Sequence, residues 1–189
     1  PVDKNWCIQL EEVSEEDRAR ALLLWVNTPG NPAGGLDDLE AVATWGRNNQ
    51  IPVFSDECYC EFTWDGPPRT ILSSGTQGVV SVHSLSKRSN LAGVRVGFYA
   101  GDPDIVEYLR EIRKHAGFMV PGPAQAAAVA ALSDQTHVEQ QREIYWSRLN
   151  RLSNIISNIG AEAPLPRGGF YLWVPAPGGD AWAFVEHLL

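Results

Sequence analysis

The chain has 189 residues, 44% of them apolar and 20% charged, and a formal net charge of -8 at pH 7. That length buries one good core, or one core and the start of a second lobe. The negative balance argues against nucleic acid as a partner, since phosphate binding needs a basic face, and no apolar run nears the ~20 residues of a membrane span.

In chain order, "ARALLLWVN" is a short apolar run that ends in the Pro/Gly-rich "NTPGNPAGG", a buried strand followed by a turn. Leu36, Leu39, Val42 and Ala43 then recur at helical spacing. "IPVFSDE" and "GVVSVHS" read as a second and a third buried strand, and "VRVGFYAG" as a fourth. Helices are expected over "DPDIVEYLREIRKH", over "PAQAAAVAALS" (the longest apolar run, read as a buried helix) and from about Thr136 to Ile159. "GGFYLWVP" looks like a strand opening a new unit, with "DAWAFVEHLL" as its helix. Trp25, Trp45, Trp146 and Trp173 fall on these elements and are assigned to the core.

Strand–helix alternation predicts an α/β fold, a mostly parallel sheet covered by helices. The expected division is a large domain over 1–135, a long connecting helix over 136–160 and the start of a small α+β domain over 161–189. The chain begins at Pro1 without a Met and stops inside the helical run "AWAFVEHLL", so it reads as a piece of a longer protein. No basic segment leads into an apolar one at the N-terminus, the pattern a secretory signal requires. Three sparse cysteines, Cys7, Cys58 and Cys60, suit a reducing cytosol, which makes a cytoplasmic protein the expectation.

Ligands of parallel sheets sit beyond the carboxyl ends of the strands. Three unusual segments fall there: Asn31 to Gly34, Asp56 to Tyr59, and Ser84 to Lys87. Singly, each has an ordinary reading. Lys87 suits a solvated loop, Asp56 a turn, Arg95 a surface ion pair and Tyr59 a core aromatic with a wet hydroxyl. Together they suit one cofactor. A lysine amine forms a Schiff base with the aldehyde of pyridoxal 5'-phosphate. The cofactor's ring nitrogen then needs an anion, for which Asp56 serves. Its phenolic oxygen needs donors, such as Asn31 and Tyr59. Its phosphate needs hydroxyls and a guanidinium, present as Ser84, Ser86 and Arg95.

"NTPGNPAGG", "DECYCEF" and "SLSKRSNLAGVRVG" resemble the signature segments of the class I/II aminotransferases, the fold-type I pyridoxal-phosphate enzymes, over about Leu22 to Val174. The resemblance implies that Lys87 is the Schiff-base lysine and that Asp56 pairs with the ring nitrogen. It places Asn31 and Tyr59 at the phenolic oxygen, and Ser84, Ser86 and Arg95 at the phosphate. Lys87, Asp56 and Tyr59 form the implied catalytic set. The substrates implied are an amino acid and a 2-oxo acid, both small molecules, handled by a homodimer with no metal. "KRSNLAGVRVG" and "RKHAGFMVPGPAQAAAVAAL" look closest to actinobacterial succinyldiaminopimelate aminotransferases of lysine biosynthesis. Alternatives are a pyridoxal-phosphate carbon–sulfur lyase and a non-catalytic sensor module of a transcription regulator. Ala33 stands where many relatives carry threonine. The family's ring-stacking aromatic, its glycine-rich phosphate turn and its carboxylate-binding arginine find no match here. His83 and His115 are read as structural, since Lys87 itself can shuttle the proton. Finally, X–Pro bonds favour trans by only about 0.5–1 kcal/mol, and Asn31–Pro32 is expected to be cis.

Overall fold

In the computed structural model, which describes residues 1–188, helix α1 (Glu15–Arg20) precedes strand β1 (Leu24–Asn27). Helix α2 (Leu39–Asn49) and strand β2 (Val53–Asp56) follow. Strand β3 (Val79–Ser84) then runs directly into the one-turn helix α3 (Leu85–Arg88), and strand β4 (Gly97–Gly101) comes next. Four helices follow: α4 (Pro103–His115), α5 (Gly122–Leu132), α6 (Thr136–Asn158) and α7 (Ala181–Leu188). Among the described residues, no helix is long and apolar enough to cross a membrane.

The strands lie in the order β1-β2-β3-β4, with β1, β2 and β3 parallel and β4 antiparallel to β3. This is the α/β arrangement expected, and it puts Asn27, Asp56 and Ser84 at the carboxyl ends of three adjacent parallel strands. Asp38 caps α2, accepting from the N–H groups of Glu40 and Ala41 at 3.1 Å each. The buried side of α2 (Leu39, Val42, Ala43) packs with Val26, Val53, Ile71 and Val79. Each buried Val, Leu or Ile side chain among these contributes roughly 1.5–3 kcal/mol relative to exposure. A smaller cluster of Leu85, Val96 and Ala128 seats α5 beside the lysine turn.

The structure corrects four sequence expectations. The fourth strand starts only at Gly97, because Val94 belongs to a 3-10 turn (Ala92–Val94) and Arg95 is left-handed at φ 56°. The alanine-rich α5 is not buried: of its residues Ala128 alone is buried, and Val129 is 67% exposed. Its apolar side chains are small and surround the helix, so one stripe meets the small cluster and the rest faces outward. "GGFYLWVP" forms no strand. Gly169, at φ +76°, breaks the extended run, and the segment instead makes a single bridge between Gly168 and Thr63. Trp25, Trp146 and Trp173 are substantially exposed and Trp45 is half-buried. Trp25 lies on the edge strand β1, on the side away from α2, where it stacks on Phe54 at 5.9 Å.

Candidate active site

The turn after β1 is built by its own polar groups. Asn27 donates to the Asp56 carbonyl at 3.0 Å, while its side-chain oxygen accepts the Asn31 N–H at 2.7 Å. Thr28 adds a bond from its N–H to the same Asp56 carbonyl at 3.1 Å. Asn31–Pro32 is cis as expected, and Thr28–Pro29 is cis as well. Gly34 sits at φ +78°, and a Cβ there would lie 2.6 Å from both the Gly168 carbonyl oxygen and Pro166 Cβ. Only glycine fits. This close approach presses residues 166–168 against the turn.

So held, Asn31 points its amide at Tyr59, donating to the hydroxyl at 3.0 Å. Tyr59 is buried, with Phe170 edge-on at 5.1 Å and the Tyr171 hydroxyl 3.5 Å from its own. Burial, and then the neighbouring Tyr171 hydroxyl, push the Tyr59 phenol well above its ordinary pKa. It therefore serves as a neutral donor or acceptor, never a phenolate.

Asp56 ends β2. One of its oxygens accepts the Cys58 N–H at 3.2 Å and faces the Cys58 thiol. Burial and the Asp56 carboxylate raise that thiol to about 12, and burial with Glu61 and Glu57 does the same for Cys60. Both stay protonated at neutral pH and neither is a nucleophile. The two thiols also diverge, since Cys60 lies 3.9 Å from His83 Nδ1.

Lys87 stands on α3, whose N-terminus is capped by Ser84 accepting the Ser86 N–H at 3.2 Å. Its Nζ lies 5.9 Å above the Tyr59 ring centroid, a cation–π distance, and among the described residues it has no hydrogen bond or ion pair. Ser84, Ser86 and Arg95 line an adjoining cleft of about 580 Å³. Arg95 holds a left-handed conformation that costs a non-glycine residue about 1–2 kcal/mol, and its guanidinium donates to the Ala92 carbonyl at 2.9 Å.

All seven residues singled out in the sequence thus stand at one end of the sheet, Asn31, Asp56, Tyr59 and Lys87 on one side and Ser84, Ser86 and Arg95 along the cleft. Phe170 and Tyr171 were missed, because their segment was read as a strand of another unit. The histidines differ. His83 lines the same cleft as Ser84, Ser86 and Arg95, 2.5 Å from the Ser81 hydroxyl, 3.5 Å from the buried Glu57 and stacked on Phe98. His115 is an exposed residue of α4, 3.6 Å from Glu111.

Residues 2–189 match the family model for Aminotransferase class I and II. The chain is 41% identical over 88% of its length to 4-dedimethylamino-4-oxo-anhydrotetracycline transaminase of Streptomyces rimosus, covering 48% of that protein. It is 32% identical over 94% of its length to LL-diaminopimelate aminotransferase of Dehalococcoides mccartyi, again covering 48% of the relative. An aminotransferase structure from Neisseria meningitidis superposes with a TM-score of 0.88 at 32% identity, covering 99% of this chain and 50% of that one. The chain therefore spans about half the length of the relatives it matches. With the family model running from one end to the other, and with this fold beneath it, the chain belongs to the class I and II aminotransferases, whose members use pyridoxal 5'-phosphate.

Proposed function

We propose that the complete protein carrying this chain is a pyridoxal-phosphate-dependent aminotransferase that moves an amino group between an amino acid and a 2-oxo acid. The observation that carries the reading is the free amine of Lys87 above Tyr59, whose hydroxyl is already engaged by Asn31. The donor set fits the cofactor. Among the described residues one amine lacks a partner and one carboxylate has an oxygen to spare, and two serines and an arginine line a cleft of adequate size.

In this reading Lys87 would hold the cofactor through its amine and would move the proton at the substrate's α-carbon. Asp56 presents its second oxygen to the ring nitrogen. Asn31 and Tyr59 donate to the phenolic oxygen, and Ser84, Ser86 and Arg95 hold the phosphate. The cofactor supplies an aldehyde and a protonated ring that accepts electron density. Phe170, edge-on against the buried Tyr59, shields that ring from water, which strengthens the Asn31–Tyr59 hydrogen bond.

For substrates, we propose N-succinyl-LL-diaminopimelate and 2-oxoglutarate, in lysine biosynthesis. A relative named for diaminopimelate and the sequence likeness around the lysine segment support this. We further propose that residues 1–135 belong to a cofactor-binding large domain, 136–160 to a connecting helix and 161–189 to the start of a small domain. The whole protein is proposed to be a cytoplasmic homodimer. The test is a product assay on the complete protein with the diaminopimelate donor. Glutamate formed from 2-oxoglutarate, one for each donor consumed, supports transamination. Release of a thiol from a cysteine-type substrate without glutamate assigns a lyase, and cofactor binding without turnover assigns a sensor.

A further inference from the structure

The helix that presents Lys87 is four residues long, and a single turn has no stability of its own. Something outside it must fix the lysine. Ser84 secures one end. The other end is held by the next side chain, Arg88, which is largely buried, at 13% exposure. Its Nε donates to Glu61 at 3.1 Å, its Nη1 to the Ala131 carbonyl at 2.8 Å and to the Ser89 hydroxyl at 3.3 Å, and its Nη2 to Gln135 at 2.8 Å.

Where these bonds lead is informative. Glu61 lies two residues beyond Tyr59, in the 3-10 turn Cys60–Phe62. Ala131 lies in the last turn of α5, and Gln135 immediately precedes α6. The guanidinium therefore ties the lysine turn to the tyrosine turn and braces both against the helices behind. The following residues are braced in the same way. The Ser89 hydroxyl lies 2.9 Å from His137, and Asn90 accepts from the Tyr145 hydroxyl at 3.0 Å. From its side, Arg142 of α6 donates to the Glu61 carbonyl at 3.0 Å. A planar fork with donors on every edge suits a junction of this kind, and a lysine ammonium cannot reproduce it.

We infer that Arg88 is a positioning residue for Lys87, its guanidinium setting the separation between the lysine amine and the Asp56–Tyr59 turn. The inference rests on the reading that Lys87 anchors the cofactor. It adds a residue that touches neither cofactor nor substrate.

The test compares the wild-type holoenzyme with its Arg88→Lys, Arg88→Met and Glu61→Gln variants. Cofactor release is timed by dilution into a trapping apoenzyme, the visible absorbance of the lysine-bound cofactor is titrated with pH, and thermal unfolding is followed separately. Arg88→Met is expected to release cofactor about tenfold faster, the scale of coupling within one hydrogen-bonded network, and to shift the absorbance midpoint. Arg88→Lys should recover only part of this. Glu61→Gln keeps the fold but weakens the same link, so it should move release in the same direction even if Arg88→Met does not fold. A lower melting temperature with unchanged release and an unchanged midpoint in all three variants overturns the inference and leaves Arg88 a packing residue. A wild-type protein whose cofactor absorbance is not discharged by borohydride overturns the anchoring reading beneath it.

Discussion

Asp56→Asn separates the electrostatic role of this residue from its structural one. The carboxylate oxygen that accepts the Cys58 N–H at 3.2 Å has an equivalent in the asparagine side-chain oxygen, so the turn after β2 keeps its bond. The fold should lose no more than ~1 kcal/mol, the scale of a capping substitution. What changes is the other end of the group, where an NH2 donor replaces an anion. Removing one member of a buried charge pair costs ~3–5 kcal/mol. Asp56 is only half-buried, so the low end is the appropriate figure. At about 1.36 kcal/mol per tenfold, ~3 kcal/mol slows turnover by ~100-fold or more. The assay is single-turnover conversion in the complete protein, followed at the cofactor absorbance beside thermal unfolding of the same samples. A cofactor methylated on the ring nitrogen, which keeps its positive charge permanently, should restore part of the lost rate. Wild-type turnover in the unmodified variant, or a rate lost only in proportion to stability, refutes the reasoning and returns Asp56 to a turn-forming role.

Gly34→Ala should destabilise the protein by ~2 kcal/mol or more, because the new Cβ meets the Gly168 carbonyl oxygen and Pro166 at a positive φ; a denaturant midpoint equal to wild type contradicts this. Burial lowers the His83 pKa below 6.5, opposed by Glu57, Glu61 and Asp56. The unfolded chain therefore takes up this proton at higher pH than the folded one, and stability should fall as pH drops from 6.5 toward the folded value. His83→Gln should flatten that slope in melting temperatures measured between pH 7 and 5, and an unchanged slope assigns it to other groups.

Much of the site was readable because its residues lie at the ends of strands that announce themselves locally. β2 and β3 are short apolar runs, and the rule that ligands gather beyond parallel strand ends groups Asn31, Asp56 and Lys87 from sequence alone. What the sequence hid depends on contacts between distant residues. Tyr171 reaches Tyr59 across a separation of 112 residues, and its segment is an apolar run that reads like a strand, whereas in the fold Gly169 turns and Gly168 seats against Pro29. The exposure of α5 was hidden for another reason: a run of alanines records helix propensity and not burial. Arg88 and Glu61, 27 residues apart, carry no motif that links them; only the fold brings them within 3.1 Å.

The central claim is that Lys87 is the cofactor's anchor, and the chain offers just two other lysines, Lys4 and Lys114. The complete protein, loaded with pyridoxal 5'-phosphate and reduced with borohydride, should yield on digestion one pyridoxyl-bearing peptide from this chain, with the label on Lys87. A label on Lys4 or Lys114, or a reduced protein that releases all of its cofactor on denaturation, contradicts the account.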